Sequence, residues 1–168
     1  MSKAFAHSVV LFFVLSACLA DQVSASLLQA DQVVVLKSKR LLFLLSRGEI
    51  LRAYRVALGR QPVGRKTSAG DKKTPEGIYI LDSRKSDSKF HKAIHISYPN
   101  DSDVSYAERN GASPGSDIMI HGLPDNLQHI GPLHRYTDWT DGCIAVTNPE
   151  IEEIWKLVPD GIPIDIRP

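Results

Sequence analysis

Two short apolar runs carry reactive residues at their ends, and the chain has to fold so that those ends meet. Ile118-Met119-Ile120 leads into His121-Gly122, and Ile144-Ala145-Val146 follows Thr140-Asp141-Gly142-Cys143. By residue type, Cys143 and His121 are a cysteine nucleophile and its base. The 22 residues from position 121 to position 143 are too many for one helix turn or a tight hairpin, so two separate elements must bring the pair together. A short buried strand that delivers His121 at its end is a suitable mount for a base.

The rest of the pattern is β-like. Ten prolines and eleven glycines in 168 residues give many turns and little room for long helices. Val33–Lys37 and Arg40–Leu45 read as strands. The turn Ser46-Arg47-Gly48-Glu49 leads to a third strand, Ile50–Leu58, and the three form an opening meander. A polar stretch with Pro62, Gly64, Gly70 and Pro75 reads as a long loop between Gly59 and Gly77, ahead of a strand at Ile78–Leu81. Phe90–Pro99 reads as a further strand, and Asp101–Asp117 as a polar excursion. Leu123–Thr140 is expected to be a structured loop or lid carrying His129, His134, Arg135, Tyr136 and Trp139. A single helix is expected from Asn148 as N-cap with Pro149 at its first position, Glu150, Glu152 and Glu153 in its first turns, and Ile151, Ile154, Trp155 and Val158 on its apolar face. Pro159-Asp160-Gly161 stops it, and Ile162–Ile166 alternates as a last strand.

Residues 1–25 have the form of an export signal, with Lys3, an apolar stretch from Val9 to Ala20 and small residues at Val23-Ser24-Ala25. Within it, Leu15-Ser16-Ala17-Cys18 resembles a bacterial lipobox, so Cys18 is either lipidated as a membrane anchor or removed with the signal. Both fates leave Cys143 without a partner thiol. The expected location is therefore the periplasm or cell envelope, with residues 26–168 as one catalytic domain. A net charge of +1, from 20 basic and 19 acidic residues, lacks the one-signed footprint of a nucleic-acid binder. The locally basic run from Arg60 to Lys73 reads as a solvated loop, with attraction to anionic wall polymer as the sharper alternative.

An unassisted cysteine thiol is only a few per cent ionised at neutral pH, and His121 supplies the base that activates it. The imidazole takes the thiol proton, the sulfur attacks a carbonyl, and the imidazole returns the proton to the departing amine, which leaves a thioester. Gly142 permits a sharp turn beside the sulfur, so the amides of Gly142 and Cys143 form a candidate oxyanion hole. His121, His129, His134 and Cys143 are all metal-ligand types, but their spacing matches no compact ligand pattern and no metal is expected. His91 and His95 read as strand residues without a catalytic part.

The chain resembles the L,D-transpeptidase catalytic domain, also called the YkuD domain. The resemblance rests on His121-Gly122 and Thr140-Asp141-Gly142-Cys143, on Gly70-Asp71-Lys72-Lys73-Thr74-Pro75-Glu76-Gly77 as a Gly-Asp-x-x-Thr-Pro-x-Gly segment, on the hairpin from Arg40 to Gly59, and on Ile96-Ser97-Tyr98-Pro99-Asn100. It implies a mainly β, β-sandwich-like domain with one helix in its C-terminal region, acting on peptidoglycan stem peptides without metal or organic cofactor. Cys143 would attack the carbonyl of the L-centre of diaminopimelate in a tetrapeptide stem and release D-alanine. An acceptor amine, from a second stem or from a protein, would then resolve the thioester. The carbonyl of Gly122 would orient the base, and Thr140, Arg135, Tyr136 and Trp139 would contact substrate. Two departures stand out: Asp141, where many members carry His, and Ala145, where many carry Arg or Asn. If that basic residue grips a substrate carboxylate, Arg135 or a lid residue has to replace it here. The alternatives are a hydrolase of the same fold, acting as a carboxypeptidase, endopeptidase or amidase, and a non-catalytic wall-binding module.

Overall fold

The computed structural model describes residues 29–168; the signal segment 1–25 and the Cys18 lipobox lie outside the described residues. Among the described residues, eight strands form the framework: β1 Gln32–Leu36, β2 Leu41–Ser46, β3 Glu49–Arg55, β4 Gly77–Ser88, β5 His91–Ile96, β6 Met119–His121, β7 Ile144–Ala145 and β8 Pro163–Arg167. They hydrogen-bond in the order β3-β2-β1-β8-β4-β5-β6-β7. β2 and β3 join through a two-residue turn in which Arg47 and Gly48 both have positive φ, 54° and 83°, the hairpin geometry whose twist matches that of the strands. β1 is flanked by β2 and, in parallel, by β8, and its Val33, Val34 and Val35 are all buried, as expected of a strand covered on both faces.

β4 is the hinge of the architecture. Its first half, Gly77–Ile80, pairs with β8, and its second half, from Leu81, pairs with β5, so one long strand belongs to two leaves of sheet. The chain leaving β3 then closes the far edge: Ala57 exchanges backbone hydrogen bonds of 3.0 and 2.8 Å with Ala145 of β7. The leaves enclose one core, with Val33, Val35, Leu42, Leu44, Leu81, Ile94, Ile96, Ile120, Ile144 and Ile164 at 0 % exposure. Each such side chain stabilises the fold by about 1.5–3 kcal/mol through burial.

Three features differ from the sequence expectation. The excursion after Pro99 contains a helix, α1, Asp101–Arg109, so the C-terminal-region helix is not alone. A reciprocal cap starts α1: Asn100 Oδ1 accepts from Asp103 N at 3.0 Å, and Asp103 Oδ2 accepts from Asn100 N at 3.2 Å. The strand expected to end at Leu81 runs on to Ser88, because backbone pairing with β5 continues, through two register shifts, after the apolar alternation has ended. The second helix, α2, Asn148–Leu157, is capped by Thr147 rather than Asn148, since Glu150 accepts from Thr147 N at 2.9 Å and from its hydroxyl at 2.7 Å. That shift frees Asn148 Oδ1 to accept from Leu123 N at 2.6 Å, which ties the crossover to the helix start. Trp155 is half-buried against the core, with Arg84 and Lys92 over its ring at 4.9 and 5.1 Å.

Candidate active site

The meeting of Cys143 and His121 follows from the β6–β7 pairing. These strands are parallel, with Ile120 opposite Ile144 and His121 opposite Ala145. Continued by one residue, that register sets Cys143 beside Met119. Alternation along each strand then puts Cys143 and His121 on the same face. The 22-residue gap is the crossover that a parallel pair requires; here it contains a 3-10 segment, Gln128–Tyr136, kinked at Gly131.

His121 is buried, at 2 % exposure. Its Nδ1 lies 2.7 Å from the carbonyl oxygen of Gly122. A carbonyl only accepts, so Nδ1 carries the proton and Nε2 is left as the basic nitrogen. Phe90 stacks on the ring with centroids 4.4 Å apart, and Trp139 meets it edge-on at 5.7 Å. Burial lowers the imidazole pKa to about 4; the Gly122 bond opposes that effect and the nearby Lys89 charge adds to it. Gly122 has to be glycine here, since a Cβ would lie 2.6 Å from Asn148 Oδ1 and 3.0 Å from Ile151 Cγ2.

Cys143 is the one free cysteine among the described residues and is half-buried. Its Sγ donates to the Asp117 carbonyl at 3.6 Å. Burial pushes the thiol pKa up, and the Asp141 and Asp117 charges add to this, while the Met119 backbone N–H and Lys66 act in the opposite direction. Burial therefore disfavours the charged form of both groups, the thiolate and the imidazolium. Thr140 is a buried fastener of the cysteine turn: its hydroxyl donates to Cys143 O at 2.7 Å and accepts from Gly142 N at 3.2 Å. Gly142 sits at φ 135° and a Cβ there would lie 2.7 Å from Lys73 O, so the turn packs backbone to backbone against the loop before β4. With the Gly142 amide engaged by Thr140, the Cys143 amide is the better placed of the two candidate oxyanion donors.

Cys143 and His121 line one cavity of about 530 Å³, together with Phe90, Met119, Asp117 and the Lys85–Lys89 end of the β4–β5 hairpin. A separate hollow of about 280 Å³ is lined by Lys66, Lys72, Ser116 and Asp141. Of the expected substrate contacts, Trp139 touches the His121 ring, whereas Arg135 and Tyr136 line a third hollow with Arg55 and Leu133. Arg135 is half-buried and ion-paired to Glu150, and Tyr136 is 85 % exposed. His129 is exposed, His134 is buried and accepts from Trp139 Nε1 at 3.3 Å, and His91 and His95 pair with Glu152 and Asp82. Among the described residues no three His, Cys, Asp or Glu side chains converge as metal ligands. Sequence reasoning did not single out Phe90, Met119, Asp117 or the hairpin lysines as site residues. Met119 and Asp117 lie just ahead of His121 on and beside β6, whereas Phe90 and the hairpin lysines reach the cavity through the β5–β6 pairing, which sets Ala93 opposite His121 and has no local signal.

The family model described as YkuD, L,D-transpeptidase catalytic domain, matches residues 30–166. The Escherichia coli (strain K12) protein YafK, named as a candidate L,D-transpeptidase, is 31% identical over 116 residues, which are 68% of this chain and 39% of YafK. Among solved structures, the helical cell shape determining protein Pgp2 from Campylobacter jejuni aligns with a TM-score of 0.60 at 25% identity, over 80% of this chain and 46% of that one. Bd1075 from Bdellovibrio bacteriovorus aligns with a TM-score of 0.55 at 28% identity, over 83% and 51%. The chain thus spans about two fifths of the curated relative and about half of these structures.

Proposed function

The chain belongs to the YkuD family of L,D-transpeptidase catalytic domains, and from that premise we propose that it is a cysteine acyltransferase of peptidoglycan that remodels the cell wall. Cys143 is the nucleophile and His121 the base. The observation that carries this reading is the commitment of His121 Nδ1–H to Gly122 O in the cavity that Cys143 shares, which leaves Nε2 as the nitrogen able to take the thiol proton.

As the Cys143 proton moves to Nε2, the sulfur bonds to the carbonyl carbon of the L-centre of diaminopimelate in a tetrapeptide stem. The Cys143 amide steadies the oxyanion. Collapse of the tetrahedral intermediate breaks the C–N bond, and His121 returns the proton to the departing D-alanine amine. In the second half-reaction an acceptor amine, or water in a hydrolase, gives its proton to Nε2 and attacks the thioester carbon. The sulfur leaves and is reprotonated. Burial disfavours charge on both groups, which favours proton transfer coupled to C–S bond formation over a preformed thiolate. The substrate sets the location in the cell envelope, reached through the 1–25 signal and, if Cys18 is lipidated, held at a membrane.

Tetrapeptide muropeptides with and without an added acceptor amine provide the test. Loss of D-alanine with cross-linked or amine-exchanged product is the expected result. Tripeptide alone would make the enzyme a hydrolase. Intact stems, together with no mass gain on Cys143 from a carbapenem, would remove the enzymatic reading altogether.

A further inference from the structure

Building on the acyl-transfer reading above, we propose that the tip of the β4–β5 hairpin is a carboxylate-recognition element. Lys89, together with Lys85, binds the free carboxylate of the residue on the amine side of the scissile bond, so the enzyme acts at the terminal amide of a stem and favours α-amino acids over side-chain amines as exchange partners.

The placement follows from the path of the proton. His121 has to protonate the departing nitrogen, so the amine side of the substrate lies beside the imidazole, in the 530 Å³ cavity. In a C-terminal residue the carboxylate is attached to the carbon next to that nitrogen. Its oxygens therefore lie roughly 3–4 Å away, and a cation about 3 Å further on completes a charge-assisted hydrogen bond. The cations lining this cavity are Lys85 and Lys89. Among the described residues neither has a carboxylate partner, whereas Lys92, a little further along the hairpin, is held by Glu152 at 2.8 Å. Lys89 Nζ lies over the Phe90 ring at 5.2 Å, and Phe90 is the ring stacked on His121 at 4.4 Å.

The hairpin tip is braced for this role. Phe90 N donates to Ser88 Oγ at 3.1 Å, and His91 Nε2 and Lys92 Nζ both reach Glu152 of α2 at 2.8 Å. Other cations near the site are engaged elsewhere: Arg135 pairs with Glu150 and lines a different hollow, and Arg60 pairs with Asp141 at 2.6 Å. Position 145 carries only a buried methyl group. Asp87 and Asp117 also line the cavity, so it offers both signs of charge, which suits an α-amino acid departing or arriving with its ammonium beside its carboxylate.

Two synthetic tetrapeptides, one ending in a free carboxylate and one in a carboxamide, test the proposal. Wild type is expected to prefer the acid by about tenfold in kcat/KM, mostly through KM. Lys85→Ala/Lys89→Ala should reduce the preference to within about twofold, and Lys89→Arg alone should retain it. Both positions are exposed, so the double variant is expected to fold. Turnover by wild type with no acid preference, or a preference unchanged in the double variant, overturns the role of the lysines and leaves the acyl-transfer reading standing. No release of the terminal residue from either peptide by wild type overturns both.

Discussion

A histidine buried as deeply as His121 is a base over an unusually wide pH range. Its pKa of about 4, set by burial, keeps Nε2 unprotonated far below the 6.5 of an ordinary imidazole. Acylation of Cys143 by a carbapenem, followed by intact mass, is therefore expected to hold a nearly constant rate down to about pH 5 and to fall only near pH 4. An acid limb centred on 6.5 would place the base elsewhere or in a wetter environment. His121→Ala should slow labelling by about a hundredfold or more. The neighbouring Gly122→Ala tests the same bond from the other side. Its Cβ would stand 2.6 Å from Asn148 Oδ1 and 3.0 Å from both Ile151 Cγ2 and Phe90 O, so these neighbours and the backbone at position 122 must give way, at a cost of about 1–3 kcal/mol in stability. The Gly122 carbonyl then turns away from Nδ1, and the labelling rate should drop at temperatures where circular dichroism still reports folded protein.

Among the elements, α1 has the clearest structural reason for an effect. Asp103, the third residue of the helix and the return half of its capping box, is buried and accepts from Asn100 N, from Tyr79 Oη at 2.9 Å and from Arg65 Nη2 at 2.8 Å. Asp103→Ala removes half of the reciprocal cap, the acceptor for Asn100 N, and takes the carboxylate away from the Arg65 guanidinium and from the Tyr79 hydroxyl, which keeps only its 3.3 Å bond to Glu76 O. Urea unfolding should show a loss of about 2–4 kcal/mol, well beyond that of an ordinary cap. The same helix shows why the sequence was only partly legible. Asn100 with Asp103 three residues on is a readable cap, but α1 buries only Asp103 and Ala107, so it has too little apolar period to announce itself. α2, with Ile151 and Ile154 on a buried face, was readable, and its start shifted by one residue because Thr147 competes with Asn148 for the cap. β1, β2 and β3 were legible from their apolar runs and the Arg47-Gly48 turn. The second half of β4 was not, because Asp82–Ser88 has no apolar alternation and is held by backbone pairing with β5 and by polar contacts of Asp82 and Arg84 with distant residues. At the site, Cys143, His121 and the glycines beside them were marked by residue type. Phe90 and the hairpin lysines reach the cavity only through the β5–β6 pairing, and sequence spacing does not encode that long-range register.

At the scale of the whole molecule, the site and the core are one body, since β6 carries Ile120 of the core and ends in His121, and β7 carries Ile144 of the core and directly follows Cys143. Protonation within this body acts on global stability. His121 and His134 are both buried, at 2 % and 4 % exposure, and both have pKa values lowered to about 4. For His134 burial is again the main cause; Arg135 adds to it, Glu150 opposes it and His121 adds a little more. Between pH 6.5 and about 4 the unfolded chain takes up these two protons and the folded chain does not, so stability falls as pH falls through that window and is fully present above it. Each histidine contributes a slope of about 1.4 kcal/mol per pH unit. Asp71, Glu152 and Glu153, whose carboxyls are held below their ordinary values of 3.8, 4.5 and 4.5, lose their share as pH falls from those values, so they leave the span from pH 7 to 5 to the histidines. Urea unfolding at pH 7, 6 and 5 should therefore give falling free energies, with the slope close to halved in His134→Gln. His134 is the informative choice because its Nε2 is buried without a partner, so the variant exchanges one poorly satisfied side chain for another and leaves the Cys143 cavity intact. A slope unchanged in that variant would mean that His134 is hydrated in solution and titrates as an ordinary imidazole.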